Sequence, residues 1–224
     1  MYPTMSRIRT LVVAATCVFT IAGTGSAIAG IYSTPTLPPP GAVYATTGGA
    51  GCFNFFNVCV TPGALRDIVP TSSNIDISGQ DIVANAVFTT ALTDLAGHPL
   101  GAFVLAGTFE ELVLGRTSPT ELGDFTTELL NLDLTGSLAG HTVTLGLDDS
   151  HPSTGDTSVE QAGGSSNEFL INSFFDIFVE LSIDTNPPIT TTRGPLRLTL
   201  VPEPTTLALL GLPLIGLIGL RRRT

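Results

Sequence analysis

The sequence contains no lysine and no tryptophan, and only 12% of its residues are charged, about half the usual share. A folded surface must then be covered largely by Thr, Ser, Asn and Gly, as in many extracellular β-proteins. Basic residues are scarce where a domain would lie. Between residues 30 and 204 only Arg66, Arg116, Arg193 and Arg197 stand against all 19 acidic residues. Phosphate backbones repel so acidic a domain, which argues against nucleic acid as a partner. There is no C-x-x-C pair, so a zinc site of that kind is excluded. There is also no G-x-S-x-G nucleophile elbow and no N-x-[ST] sequon. With no Trp and three Tyr, the chain lacks the aromatic platform on which sugars usually stack. Apolar residues are not lacking. At 43% they exclude disorder throughout.

The remaining five arginines mark the two ends. Arg7 and Arg9 precede the apolar run LVVAATCVFTIAG, and Ala27-Ile28-Ala29 fits a small-residue cleavage site. Residues 1–29 read as a signal peptide, handled by Sec export machinery, with the mature chain starting near Gly30. Cys17 falls inside this segment, leaving Cys52 and Cys59 as the mature pair. In an oxidising compartment they are expected to join. Seven extended steps would separate them by about 23 Å, and a disulfide needs Cα atoms within about 7 Å. The bond therefore demands a turn near residues 54–57, and contributes roughly 2–3 kcal/mol in the chain-entropy model.

Residues 30–50 are rich in Pro and Gly and read as an extended arm. Residues 51–200 carry the period of two expected of strands with one buried face. Leu130, Leu132 and Leu134 alternate with Asn131 and Asp133. Val143, Leu145 and Leu147 alternate with Thr142 and Thr144. Phe175, Ile177, Val179, Leu181 and Ile183 share one face, as do Leu196, Leu198 and Leu200. No run of ten or more residues between 50 and 200 shows a helical period. The stretch 148–168 is the longest polar segment and reads as a connector. These signals predict a mainly β fold, an antiparallel, jelly-roll-like β-sandwich, with helices only at the N-terminal signal and the C-terminal tail. FTT recurs at Phe88 and Phe125, and LAGH at Leu95 and Leu138, but at different spacing, which reads as shared hairpin chemistry.

The tail, residues 201–224, reads VPEPTTLALLGLPLIGLIGLRRRT. Its apolar run from Leu207 to Leu220 would span about 21 Å as a helix, short for a hydrocarbon core of about 30 Å. A transmembrane segment over 205–220 is expected, with Arg221, Arg222 and Arg223 retained in the cytoplasm. Val201-Pro202-Glu203-Pro204, then a Leu/Gly-rich helix, then an arginine cluster resembles the PEP-CTERM sorting signal. The same tail also goes by the name ice-binding-protein C-terminal domain, which describes no activity. The resemblance implies a Gram-negative bacterium that also makes exopolysaccharide. It implies recognition by an exosortase, a membrane-embedded cysteine transpeptidase-like enzyme. Cleavage near the Pro-Glu-Pro and delivery to the cell surface or extracellular matrix would follow transient inner-membrane anchoring.

Several side chains could carry chemistry. Asp148, Asp149 and Asp156 surround His151 and could supply oxygens to a divalent cation, although their spacing matches no calcium-loop pattern. Ser150-His151 suggests a nucleophile and base, but adjacent residues rarely give that geometry. Glu110 and Glu111 should point to opposite faces of a strand, with Asp124 or Glu128 as a distant carboxylate partner. His98 and His141 follow glycines at turns and should hydrogen-bond locally. The leading expectation is a non-enzymatic surface or matrix protein that needs no cofactor. A carbohydrate- or cation-binding module of an exopolysaccharide matrix is the alternative, and a secreted hydrolase the third.

Overall fold

The computed structural model describes residues 29–47, 51–53, 58–60, 63–163, 167–191 and 194–202. The expected signal segment and transmembrane tail lie outside them, apart from Ala29, Val201 and Pro202. Fourteen strands are present among the described residues: β1 (Gly30–Tyr32), β2 (Val43–Thr46), β3 (Gly51–Phe53), β4 (Val58–Val60), β5 (Ala64–Ile75), β6 (Gly79–Asp94), β7 (Pro99–Leu114), β8 (Gly123–Leu138), β9 (His141–Leu147), β10 (Ser153–Gln161), β11 (Phe169–Ile177), β12 (Val179–Ile183), β13 (Ile189–Thr190) and β14 (Leu196–Val201). All pairings are antiparallel. No helix among the described residues is long and apolar enough to cross a membrane.

The fold is mainly β, as expected, but it is not a sandwich. Strands β2, β5, β6, β7, β8, β10, β11 and β14 pair in that order, and β14 pairs back to β2. The result is a closed eight-stranded barrel. Alternation along a strand says that one face is buried, not whether the surface opposite it is a second sheet or the same sheet curled round. Closure is decided by β14, which bridges β11 and β2 and so removes two free edges. The stretch 30–50 supplies β1 and β2 to this assembly.

Close strand contacts are built with glycine. At Gly107 and Gly155, both inward-facing, an added Cβ would lie 1.9 Å from the carbonyl oxygens of Asp133 and Phe174 on neighbouring strands. Only a residue without a side chain permits so close an approach between strands. The interior is filled by Ile82, Phe88, Leu105, Phe109, Phe175 and Leu198, with many like them. Leu37 and Ala42, in the connection between β1 and β2, are buried with this core.

Two expectations fail for local reasons. Leu130 is 44% exposed while Leu132 and Leu134 are buried. Glu110 pairs with Asn131 but Glu111 with Leu129, so Leu130 is an extra residue in β8 that switches the phase. The stretch 148–168, expected as a connector, contains β10. Its inward positions are Ser153, Gly155, Thr157 and Val159, and the first three, small or polar, hide the period. Thr157 Oγ1 donates to Ser173 Oγ at 2.8 Å, so this polar patch is satisfied inside the wall.

Along one edge of β8, β10 pairs with residues 123–129 and β9 with residues 133–138. Together β9 and β10 form one return strand, interrupted by residues 148–152. The neighbouring return strand, β11 then β12, is interrupted opposite it at Phe178, whose carbonyl accepts from the Asp148 amide at 2.9 Å. Strands β3 and β4 form an extension on β6, with Cys52 directly opposite Cys59.

Candidate functional site

The last described residues place the sorting segment. In β14, Leu196, Leu198 and Leu200 point inward, and Arg197 and Thr199 outward. Leu200 stands opposite Tyr44 and Val201 opposite Val43. Pro202 follows at once, where its missing N–H ends the ladder. Glu203, Pro204 and Arg221 to Arg223 lie outside the described residues. Both ends of the domain leave one edge of β11, with Gly30 opposite Ile171 and Thr199 opposite Phe174.

The interruption at 148–152 gathers Asp148, Ser150 and His151. Ser150 donates from both its amide and its hydroxyl to Asp148 Oδ1. His151 Nδ1 lies 2.9 Å from Ser150 Oγ and 3.2 Å from Asp148 Oδ2, and its ring stacks on Phe178 with centroids 4.8 Å apart. The Ser150 side-chain bond is the main cause that holds the Asp148 carboxyl below its usual range. A nucleophile relay needs serine and aspartate on different ring nitrogens. Here both share Nδ1, and the arrangement closes a turn. Asp149 is exposed beside it. Burial, then Asp149 and Asp148, push the nearby Glu180 carboxyl up. Among the described residues no group of three or more His, Cys, Asp or Glu is placed to hold a metal ion.

Asp156 is separated from this turn. It projects outward from β10 into a groove of about 320 Å³, with Asp124 and Thr126 of β8, Ser158 of β10, and Asn172 and Phe174 of β11. Register brings them together: Ser158 faces Asp124 and Asn172, and Asp156 faces Thr126 and Phe174. Arg197 sits 4.5 Å over the Phe174 ring and donates to Asp176 at 2.7 Å. Asn172 Oδ1 is buried without a hydrogen-bond partner. Sequence reading missed Thr126, Ser158, Asn172 and Phe174 as a group. The available signal was Phe174, an aromatic on the outward phase of an otherwise regular strand.

Glu110 and Glu111 do point to opposite faces. Glu111 enters the barrel, 1% exposed, and lines a small apolar void of about 20 Å³ with Tyr44, Phe109, Leu129 and Phe175. Burial pushes its carboxyl up to about 7, against a smaller downward pull from Arg116. Asp124 and Glu128 take the outward phase of β8, so the structure does not bring them to Glu111. Arg116, fully buried, donates through Nη2 to the carbonyls of Pro35 at 2.6 Å and Pro119 at 2.8 Å, and lies over Phe125. Its Nε and Nη1 find no partner. His98 bonds locally, as expected, through Nδ1 to Asp94 at 2.8 Å, whereas His141 Nδ1 reaches a residue distant in sequence, Asp184, at 2.7 Å.

Against known proteins, residues 200–223 match the PEP-CTERM protein-sorting motif. The expected C-terminal signal is therefore present, and it implies exosortase as a processing partner, with export and transit through a membrane to the cell surface. No curated protein and no solved structure matches the chain.

Proposed function

Starting from a chain that carries a PEP-CTERM sorting motif, we propose that it is a non-enzymatic structural protein of the cell surface or extracellular matrix of a Gram-negative bacterium. Sec machinery exports it by residues 1–29. Residues 205–220 then hold it in the inner membrane, with Arg221 to Arg223 in the cytoplasm, until an exosortase cuts near Pro202-Glu203-Pro204. The observation that carries this reading is the sorting motif joined directly to the closing strand of a compact barrel. Such a barrel is a self-contained cargo once the tail is gone. A Cys52–Cys59 disulfide belongs to the same reading of an exported protein. Its support is that the two residues face each other in the hairpin register and that Cys59 does not stand as a free thiol. Mass spectrometry of the protein from its host tests the proposal. A chain beginning near Gly30 and ending near Pro204 is expected. An intact arginine-rich C-terminus in the surface or secreted pool would overturn it.

A second reading, binding of exopolysaccharide or of a divalent cation, is favoured by the groove around Asp124, Asp156 and Asn172. It supplies carboxylates, hydroxyls, an unpartnered buried amide oxygen and one aromatic ring, the groups that hold polyols or hard cations. Polysaccharide retention or calcium-raised melting that is lost in Asp156→Ala would support it. Neither effect in the parent protein would remove it.

A further inference from the structure

The sorting motif begins before the fold ends. Its match starts at residue 200, yet Leu200 and Val201 are the last two residues of β14. Leu200 is 1% exposed and packs in the barrel interior, and the main chain of both residues is paired to β2 at Tyr44 and Val43. The strand is fastened just upstream. Thr199 Oγ1 lies 2.8 Å from Thr47 Oγ1, and Arg197 grips Asp176. No spacer separates this strand from Pro202.

Enzymes that cut or transfer a peptide hold it extended, with main-chain hydrogen bonds to the residues that flank the reacting bond. In this chain the residues on the N-terminal side of the motif already spend those groups on the barrel. Resting on the processing reading above, we infer that the docked end of β14 controls processing: Leu200 and Val201 must leave β2 before the exosortase can take up the Pro-Glu-Pro. The bond chemistry is the enzyme's own. A peptide bond near the triplet breaks, its acyl carbon passes to the enzyme's cysteine sulfur, and the freed amine departs with the tail and takes up a proton. The acyl group then passes to water or to an acceptor amine, restoring the thiol. The fold sets only how often the substrate segment is free. Burial of one leucine biases the end of β14 toward the docked state by roughly ten- to a hundredfold.

The surroundings add to the obstruction. β1 and β14 run in the same direction along the same edge of β11. β14 heads toward the start of β1, three positions further along β11, about 10 Å. The mature N-terminus and the sorting motif thus emerge side by side. That pole of the barrel faces the bilayer while the tail is inserted, which leaves little room around an unspaced cleavage site.

The test follows tail loss in the native host, by pulse-chase with mass spectrometry of the full-length chain and two variants. An eight-residue insertion between Val201 and Pro202, six Gly/Ser residues followed by a second Leu-Val, leaves both the barrel sequence and the motif intact and supplies a free segment; processing is expected to be at least tenfold faster. Val43→Cys with Val201→Cys places two thiols at directly opposite positions, within disulfide reach. The crosslinked chain is expected to be processed at least tenfold more slowly, and the insertion is expected to restore its rate. An insertion that leaves the parent rate unchanged overturns the inference, as does a crosslinked chain processed at the parent rate. Should the cysteine pair prevent folding, the insertion alone decides. Tail loss from none of the chains, parent included, overturns the processing reading, and is distinguishable from a tail that is lost at equal rates.

Discussion

The barrel has two unequal arcs. From β5 to β8 the wall is a meander of consecutive hairpins, with β6, β7 and β8 each 16 residues long. The remaining arc holds the β10–β11 hairpin and a seam made by the short strands β2 and β14, from the two ends of the domain. There β2 meets β5 through two residue pairs, β14 meets β2 through four, and β14 meets β11 through four. Pairs in the wall form between neighbours in sequence. Those of the seam join residue 43 to residue 201. Loop closure delays the second kind, so the wall should zip first and the seam close last. The last segment to dock is then the one that carries the sorting motif, and the fold places its weakest joint beside its processing signal.

The largest effects should come from core truncation in each arc. Phe109→Ala in the wall should cost about 4 kcal/mol, and Leu198→Ala in the seam about 3 kcal/mol; both side chains are at least 96% buried. The kinetics sharpen the contrast. Phe109→Ala should mainly slow refolding and Leu198→Ala mainly speed unfolding. Denaturant-jump kinetics on the purified protein would break the comparison if both variants slowed refolding equally.

Glu111 tests the wall from inside. Its carboxyl is raised from 4.5 to about 7, so the folded state holds the proton more tightly than the unfolded chain. The contribution of this one group is then most favourable below pH 4.5, falls as pH rises through the interval, and carries its full penalty above 7. At about 1.4 kcal/mol per unit, that penalty is about 3 kcal/mol. Glu111→Gln cannot ionise and should be the more stable protein at pH 8 by about that amount, with little difference at pH 4. Urea unfolding at the two pH values checks it. Equal stabilities at pH 8 would mean that the carboxyl is not sealed in the wall.

How much of this was written in the linear chain depends on how far apart the interacting residues lie. The inward sets 175–183 and 196–200 follow directly from alternation, because each position reports on its own strand. The sorting motif was legible because its residues are contiguous in the chain. Leu130 was misread because its phase depends on a bulge opposite Glu110 and Glu111. β10 was missed because Ser153, Gly155 and Thr157 face inward without being apolar. The groove was invisible for a stronger reason: Asp124, Asp156 and Phe174 become neighbours only through the registers of three strands. Closure itself turned on whether β14 could reach β2, which no local pattern encodes.

A smaller effect is expected on the outside of the seam. Arg197 forms a two-point contact with Asp176 and covers Phe174, but it is about half exposed. Arg197→Ala should therefore cost about 1 kcal/mol or less, far below the Leu198 truncation on the same strand. A loss as large as that of Leu198→Ala would show that the seam is held by its surface clamp and not by its buried leucines.

The smallest effect lies away from both arcs, at the turn between β8 and β9. Asp184 accepts from the Thr142 amide at 2.9 Å and pairs with His141 Nδ1. The histidine bond, followed by the Thr142 bond, holds the Asp184 carboxyl below its ordinary value. A depressed carboxyl favours the folded state above its unfolded pKa, and that contribution is lost as pH falls through the folded one. Asp184→Asn keeps a residue tolerant of the positive φ of 54° and removes the charge. Its expected signature is faster amide exchange at Thr142 near neutral pH, with the difference from the parent shrinking in acid and with β14 unchanged. Exchange that rose equally at Thr142 and along β14 would mean that hairpin tip and seam open as one unit, and the division into two arcs would fail.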